Sequence, residues 1–194
     1  MKRFVCIAAV VLLLLPGRAR AAELASGGKS ACLMDVATGT ILYESNSHEK
    51  LAPASVTKVM TLLLACEAID QGRMTLDDPV TASTHAASMG GSQIWLEEGE
   101  QMTVDHMIKA VVVASANDAA MNIAGHISGT QEAFVERMNQ RAAEIGCTDT
   151  HFTNAHGLDD PEQYTTARDM VKILMEATKN ETFCEVFGAV GYDI

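Results

Sequence analysis

The sequence predicts an α+β fold in which a short antiparallel hairpin precedes a cluster of apolar helices. Three observations carry this. Residues 31–36 and 41–44 are β-prone runs on either side of the glycine-bearing turn Ala37-Thr38-Gly39-Thr40. Residues 56–69 include Val59, Met60, Leu62, Leu63, Leu64, Ala65, Cys66 and Ile69, and are apolar almost all round, as a helix inside a domain must be. Helical periodicity then returns at Thr103 and recurs in separate segments as far as Ala177.

Ahead of the hairpin, Lys2 and Arg3 lead into an apolar run at 5–15 and then the small residues Ala19-Arg20-Ala21-Ala22. That is the layout of a secretory signal peptide, with an apolar part too short for a membrane span. We expect residues 1–22 to be a leader, the protein to be exported, and 23–194 to form one domain large enough for a real core. Without the leader, 10 basic residues face 25 acidic ones, a net charge of −15. Such a chain is a poor ligand for nucleic acid or anionic lipid, and its acidity serves solubility.

Pro53 and Ser55 supply helix-start chemistry, and Gly72 closes the first helix. The stretch 74–101 is mostly loop, with short strands expected at Val80 and at 94–96. Trp95, the only tryptophan, is expected to fill core. Thr103 caps a helix containing Met107, Ile108, Val111 and Val112, which ends at Ser115-Ala116-Asn117. Asn117 or Asp118 caps the next helix, whose core face is Ala120, Ile123, Ala124 and Ile127. Another helix spans 131–145, stopped by Gly146, with Phe134, Val135, Met138, Ala142 and Ile145 on one side. A polar loop at 147–164 leads to Thr166 and Asp169, a capping box with aspartate in place of glutamate, before a last amphipathic helix with Met170, Ile173, Leu174 and Ala177. Among the cysteines beyond the leader, Cys66 reads as a small core residue, and Cys32, Cys66, Cys147 and Cys184 allow three pairings. His151 and His156 read as loop and turn residues, since no histidine spacing matches a metal site.

The chemistry centres on Pro53-Ala54-Ser55-Val56-Thr57-Lys58. A serine and a lysine three positions apart at a helix start share a face, so the amine reaches the hydroxyl. The positive end of the macrodipole and desolvation both lower the lysine pKa, and a neutral amine is what a general base for serine requires. S-x-x-K is a short pattern, however, and a lysine there can equally snorkel to solvent. About sixty residues on, Ser115-Ala116-Asn117 sets a hydroxyl and an amide between two apolar helices. Polar groups there need partners, either as caps or as the wall of a cleft facing Ser55.

Together these motifs make the chain similar to the serine D-alanyl-D-alanine carboxypeptidases, the low-molecular-weight penicillin-binding proteins of the peptidase S11 type. The likeness runs over residues 33–175: Asp35-Val36-Ala37-Thr38-Gly39, the 53–60 block, Ser115-Ala116-Asn117-Asp118-Ala119-Ala120, Asn154 with His156-Gly157-Leu158, and Tyr164-Thr165-Thr166-Ala167-Arg168-Asp169-Met170. The resemblance implies a β-lactamase/transpeptidase-like fold and removal of the terminal D-alanine from peptidoglycan stem peptides ending in D-Ala-D-Ala. In the implied roles Ser55 is the nucleophile, Lys58 takes its proton, Ser115 relays a proton to the leaving nitrogen, and Asn117 holds the substrate amide and braces Lys58. β-Lactams are implied as covalent inhibitors, and no metal or organic cofactor is. The family's third motif, K-T-G or a close variant, occurs nowhere in these 194 residues. It supplies a cation for the substrate carboxylate and one oxyanion donor, so we expect an incomplete catalytic domain of a longer carboxypeptidase, missing its later strands and membrane anchor and weak or inactive as it stands. Two other readings are a class A-like β-lactamase, whose deacylating glutamate has no visible loop here, and a non-catalytic peptidoglycan- or penicillin-binding protein.

Overall fold

The computed structural model describes residues 27–188 and 191, so the expected leader lies outside the described residues. The hairpin forms as β1 (Ala31–Met34) and β2 (Ile41–Ser45), antiparallel, with Cys32 opposite Glu44 and Leu33 opposite Tyr43. Its turn is an Asx-type closure in which the Asp35 carboxylate accepts from the Thr38 N–H and hydroxyl.

A 3₁₀ turn (Ala54–Thr57) runs directly into α1 (Lys58–Asp70). Met60, Leu63, Ala65, Cys66 and Ala68 are all at most 1% exposed, so α1 is the central helix that the all-round apolar sequence predicted. Around it the chain lays β3 (Pro79–Thr81), the short α2 (Thr84–Ala87), β4 (Gln101–Thr103), α3 (Val104–Ala114), α4 (Asn117–Ser128), α5 (Gln131–Ile145), α6 (Ala167–Ala177) and α7 (Glu181–Phe187). Helices α3 to α7 all pack against α1, and α6 also backs the hairpin. Arg141 of α5 clamps the cluster from outside, with 2.8 Å to Glu67 of α1 and 2.7 Å to Glu176 of α6. Among the described residues no helix is long and apolar enough to cross a membrane.

Several expectations hold in detail. Thr103 and Thr166 cap α3 and α6 through their side chains, and Gly146 ends α5 at φ +86°. Cys66 is buried as a core thiol, and Cys32, Cys66, Cys147 and Cys184 are all free.

Others need correction. The second strand of the 74–103 region is β4, paired antiparallel with β3, and residues 94–96 are not a strand. The reason is Asp118, whose buried carboxylate accepts from the N–H of Ile94 and of Leu96 and so takes the donors a ladder would use. Trp95, held between them at φ +64°, is turned outward and is 77% exposed instead of filling core. Neither Asn117 nor Asp118 caps α4; the N-cap is Ala116, which offers no side-chain bond. Only half of the capping box at Thr166 forms, because the Asp169 carboxylate turns to the N–H of Asp149. The sequence reading also left 181–187 without a helix, where α7 forms on an Asn180 cap with Phe183 and Val186 buried.

Candidate active site

The residues before α1 shape the site. Pro53 stands at the N-cap of the 3₁₀ turn, Ala54 is left-handed at φ +46°, and the turn has no side-chain cap. Ser55, expected from sequence to help start the helix, makes no capping bond and keeps its hydroxyl for Lys58.

Lys58 does not snorkel. It is 3% exposed, and its ammonium donates to three oxygens from three parts of the chain: Ser55 Oγ at 3.3 Å, Asn117 Oδ1 at 2.7 Å and the His156 carbonyl at 2.6 Å. Burial lowers its pKa from 10.5 to about 8, and the start of a helix disfavours the cation as well.

The three partners are chemically unequal. A carbonyl oxygen has no proton to give, and Asn117 Oδ1 is fixed as an acceptor because its Nδ2 donates to the Gly90 carbonyl at 2.7 Å. Only the serine hydroxyl can both accept and donate. When Lys58 loses one proton, its two remaining N–H bonds stay with Asn117 and His156, and its lone pair is left facing Ser55 Oγ. The arrangement can therefore take a proton from Ser55 and from no other partner.

Ser115 is half-buried and ends α3 in the left-handed region at φ +54°, two residues before Asn117. That kink turns the chain between two buried helices and places Asn117 in the first turn of α4. The Asn117 N–H donates to the Ser92 carbonyl, so residues 90–92 lie against the turn. Gly91 permits this approach: a Cβ there would sit 2.7 Å from Asn117 Nδ2. Of the residues predicted from sequence, Ser55, Lys58 and Asn117 meet directly, while the Ser115 hydroxyl bonds to none of them and joins the group through its turn.

A profile described as D-alanyl-D-alanine carboxypeptidase, peptidase S11, matches residues 18–188. The chain belongs to this carboxypeptidase family. It is 48% identical over 169 residues to D-alanyl-D-alanine carboxypeptidase DacF of Bacillus subtilis, covering 87% of this chain and 43% of that protein. Among solved structures it is similar to penicillin binding protein 6B from Escherichia coli (TM-score 0.85, 35% identity, 92% of this chain and 58% of that one). It is also similar to carboxypeptidase DacD from Francisella tularensis (TM-score 0.83, 37% identity, 87% and 41%). The α+β architecture is thus the transpeptidase-like one, and the chain spans less than half the length of DacF.

Sequence reasoning missed part of what surrounds Lys58. The His156 carbonyl holds Lys58, and the adjacent Ala155 carbonyl accepts from Thr61 Oγ1 at 2.6 Å, one turn further along α1. A main-chain oxygen has no residue-type signature. The only signal was the Asn154 to Leu158 block of the family resemblance, whose use was not apparent. The His156 ring is buried, and burial together with the Lys58 ammonium lowers its pKa from 6.5 to about 4. It is neutral, with Nδ1 accepting from the Leu158 N–H at 3.1 Å. Beside these residues a cavity of about 450 Å³ is bordered by Gly90, Asn154, His156 and Leu158.

Proposed function

We propose that this chain carries the acylating half of a serine-type D-Ala-D-Ala carboxypeptidase site, acting on peptidoglycan stem peptides. The convergence of Lys58 on Ser55, Asn117 and the His156 carbonyl is the observation that supports this reading most. Ser55 Oγ attacks the carbonyl carbon between the two D-alanines as its proton passes to Lys58 Nζ. The developing oxyanion meets the Ser55 N–H. The C–N bond then breaks, Ser115 relays a proton to the departing D-alanine nitrogen, and an ester remains on Ser55. Water hydrolyses that ester and restores the hydroxyl. Asn117 positions Lys58 through Oδ1, whose second lone pair is available to a substrate N–H.

A β-lactam presents a strained version of the same amide and acylates the same oxygen. The reaction calls for no metal or organic cofactor. Export belongs to the same proposal, with residues 1–22 as the leader and 23–194 as part of the catalytic domain.

The test is mass spectrometry of the chain after incubation with a penicillin, alongside an assay for free D-alanine released from peptides ending in D-Ala-D-Ala. An adduct on Ser55 that is lost in Ser55→Ala supports the proposal. Rapid penicillin hydrolysis would favour a β-lactamase. Reversible peptide binding with neither adduct nor D-alanine would favour a non-catalytic binding protein.

A further inference from the structure

Residues 154–158 touch both partners of the candidate Ser55–Lys58 pair at once. The His156 carbonyl holds the Lys58 ammonium at 2.6 Å. One residue on, Gly157 lies so close to the nucleophile turn that a Cβ there would meet Ala54 O at 1.9 Å and Ser55 N at 3.0 Å. The loop therefore sets where the amine sits and where the Ser55 backbone sits, and any drift in it moves both.

What holds the loop is the side chain of Asn154. Its Oδ1 accepts from the N–H of Gly157 at 2.6 Å and of His156 at 3.3 Å, while its Nδ2 donates to the Leu158 carbonyl at 3.0 Å. One carboxamide thus closes the turn from both ends. Asn154 is itself anchored by Gln163, a buried residue whose Oε1 accepts from the N–H of Thr153 and of Asn154, both at 3.1 Å. The Asn154 side chain bonds to neither Ser55 nor Lys58; its shorter bonds end on the backbone of 156–158, and weaker ones reach Thr153 Oγ1 at 3.4 Å and Gln163 Nε2 at 3.5 Å.

We infer that Asn154 is a positioning residue for acylation: by folding residues 154–158 around its carboxamide it delivers the His156 carbonyl to Lys58 and seats Gly157 against Ala54 and Ser55. This rests on the reading that Ser55 is acylated with Lys58 as base. A misplacement of about 1 Å at such a site is enough to cost about 10²-fold in rate.

The experiment measures the rate of acylation by a fluorescent penicillin in the native chain, Ser55→Ala, Asn154→Ala and Asn154→Asp, from pH 6 to 10, with a thermal melt of each. If the native chain forms no adduct that Ser55→Ala removes, the underlying reading fails and Asn154 has nothing to position. Given that adduct, Asn154→Ala should acylate about 10–100-fold more slowly at temperatures where it is fully folded. The pH midpoint should also move, because the carbonyl acceptor that favours the ammonium and the burial that disfavours it both change around Lys58. The titratable groups facing this pocket are His156 and, beyond it, His85 and Glu132, and all are unchanged in the variant. Asn154→Asp keeps an acceptor for both N–H groups and should recover most of the rate. A native rate and midpoint in Asn154→Ala would overturn the inference. So would a rate that falls only in proportion to the unfolded fraction with the midpoint unmoved.

Discussion

Lys58 Nζ donates to Asn117 Oδ1 across 2.7 Å, joining the first turn of α1 to the first turn of α4 over 59 positions of sequence. The bond gives the asparagine two tasks, since its Nδ2 holds the Gly90 carbonyl at the same time. Asn117→Ala should leave Lys58 one acceptor short and release the Gly90 carbonyl, while the backbone bond to Ser92 stays, slowing β-lactam acylation about 10²-fold. Asn117→Asp should behave differently. A carboxylate beside the amine favours its charged form, so the pH midpoint of acylation should rise. Acylation rates measured across pH separate the two variants.

In the proposed reaction Lys58 is a base only when neutral, and burial lowers its pKa to about 8. Acylation should therefore climb with pH through about 8 and level off above it. Stability is linked to the same group. Because its folded pKa lies below 10.5, the unfolded chain binds more protons between pH 8 and 10.5, and stability should rise with pH across that window. Lys58→Met should remove that part of the slope in urea unfolding curves taken at each pH. His156 gives a second window. Its folded value near 4 lies below the ordinary 6.5, so stability should fall as pH falls from 6.5 toward 4.

How much of this was visible in the sequence depends on the range of each interaction. The Ser55 and Lys58 pairing is local, set by helical spacing, and it stands as read. The central helix was equally plain, because an unbroken apolar run has no polar face to misassign. The His156 carbonyl was not visible: its bond to Lys58 spans 98 positions and uses a group every residue carries. Trp95 failed for a related reason. Its size argued for burial, but the Asp118 carboxylate, 22 residues from Leu96, grips the chain on both sides of it and turns the ring to solvent. In 181–187 a helix of under two turns offered too short a pattern, and only the Asn180 cap and the buried Phe183 and Val186 mark it.

Phe134 on α5 is fully buried in the cluster around α1. Phe134→Ala should cost about 3–5 kcal/mol, the lost transfer energy together with the cavity left behind. Urea unfolding should show the transition midpoint lowered with little change in its slope.

Gly157 and Gly146 share a left-handed backbone, at φ +89° and +86°, but differ in surroundings. A Cβ on Gly146 meets nothing within 4 Å, whereas one on Gly157 meets the Ala54 carbonyl at 1.9 Å. Alanine at either position bears the backbone strain, about 1 kcal/mol. Gly146→Ala should lower stability by that amount and leave acylation unchanged, since it lies at the end of α5 away from Ser55. Gly157→Ala should in addition push the 54–55 backbone aside and lose acylation at temperatures where the chain remains folded. Parallel melts and penicillin labelling of the two variants check this. Equal labelling would mean that the Gly157 contact does not shape the nucleophile turn, because the shared strain is already matched between them.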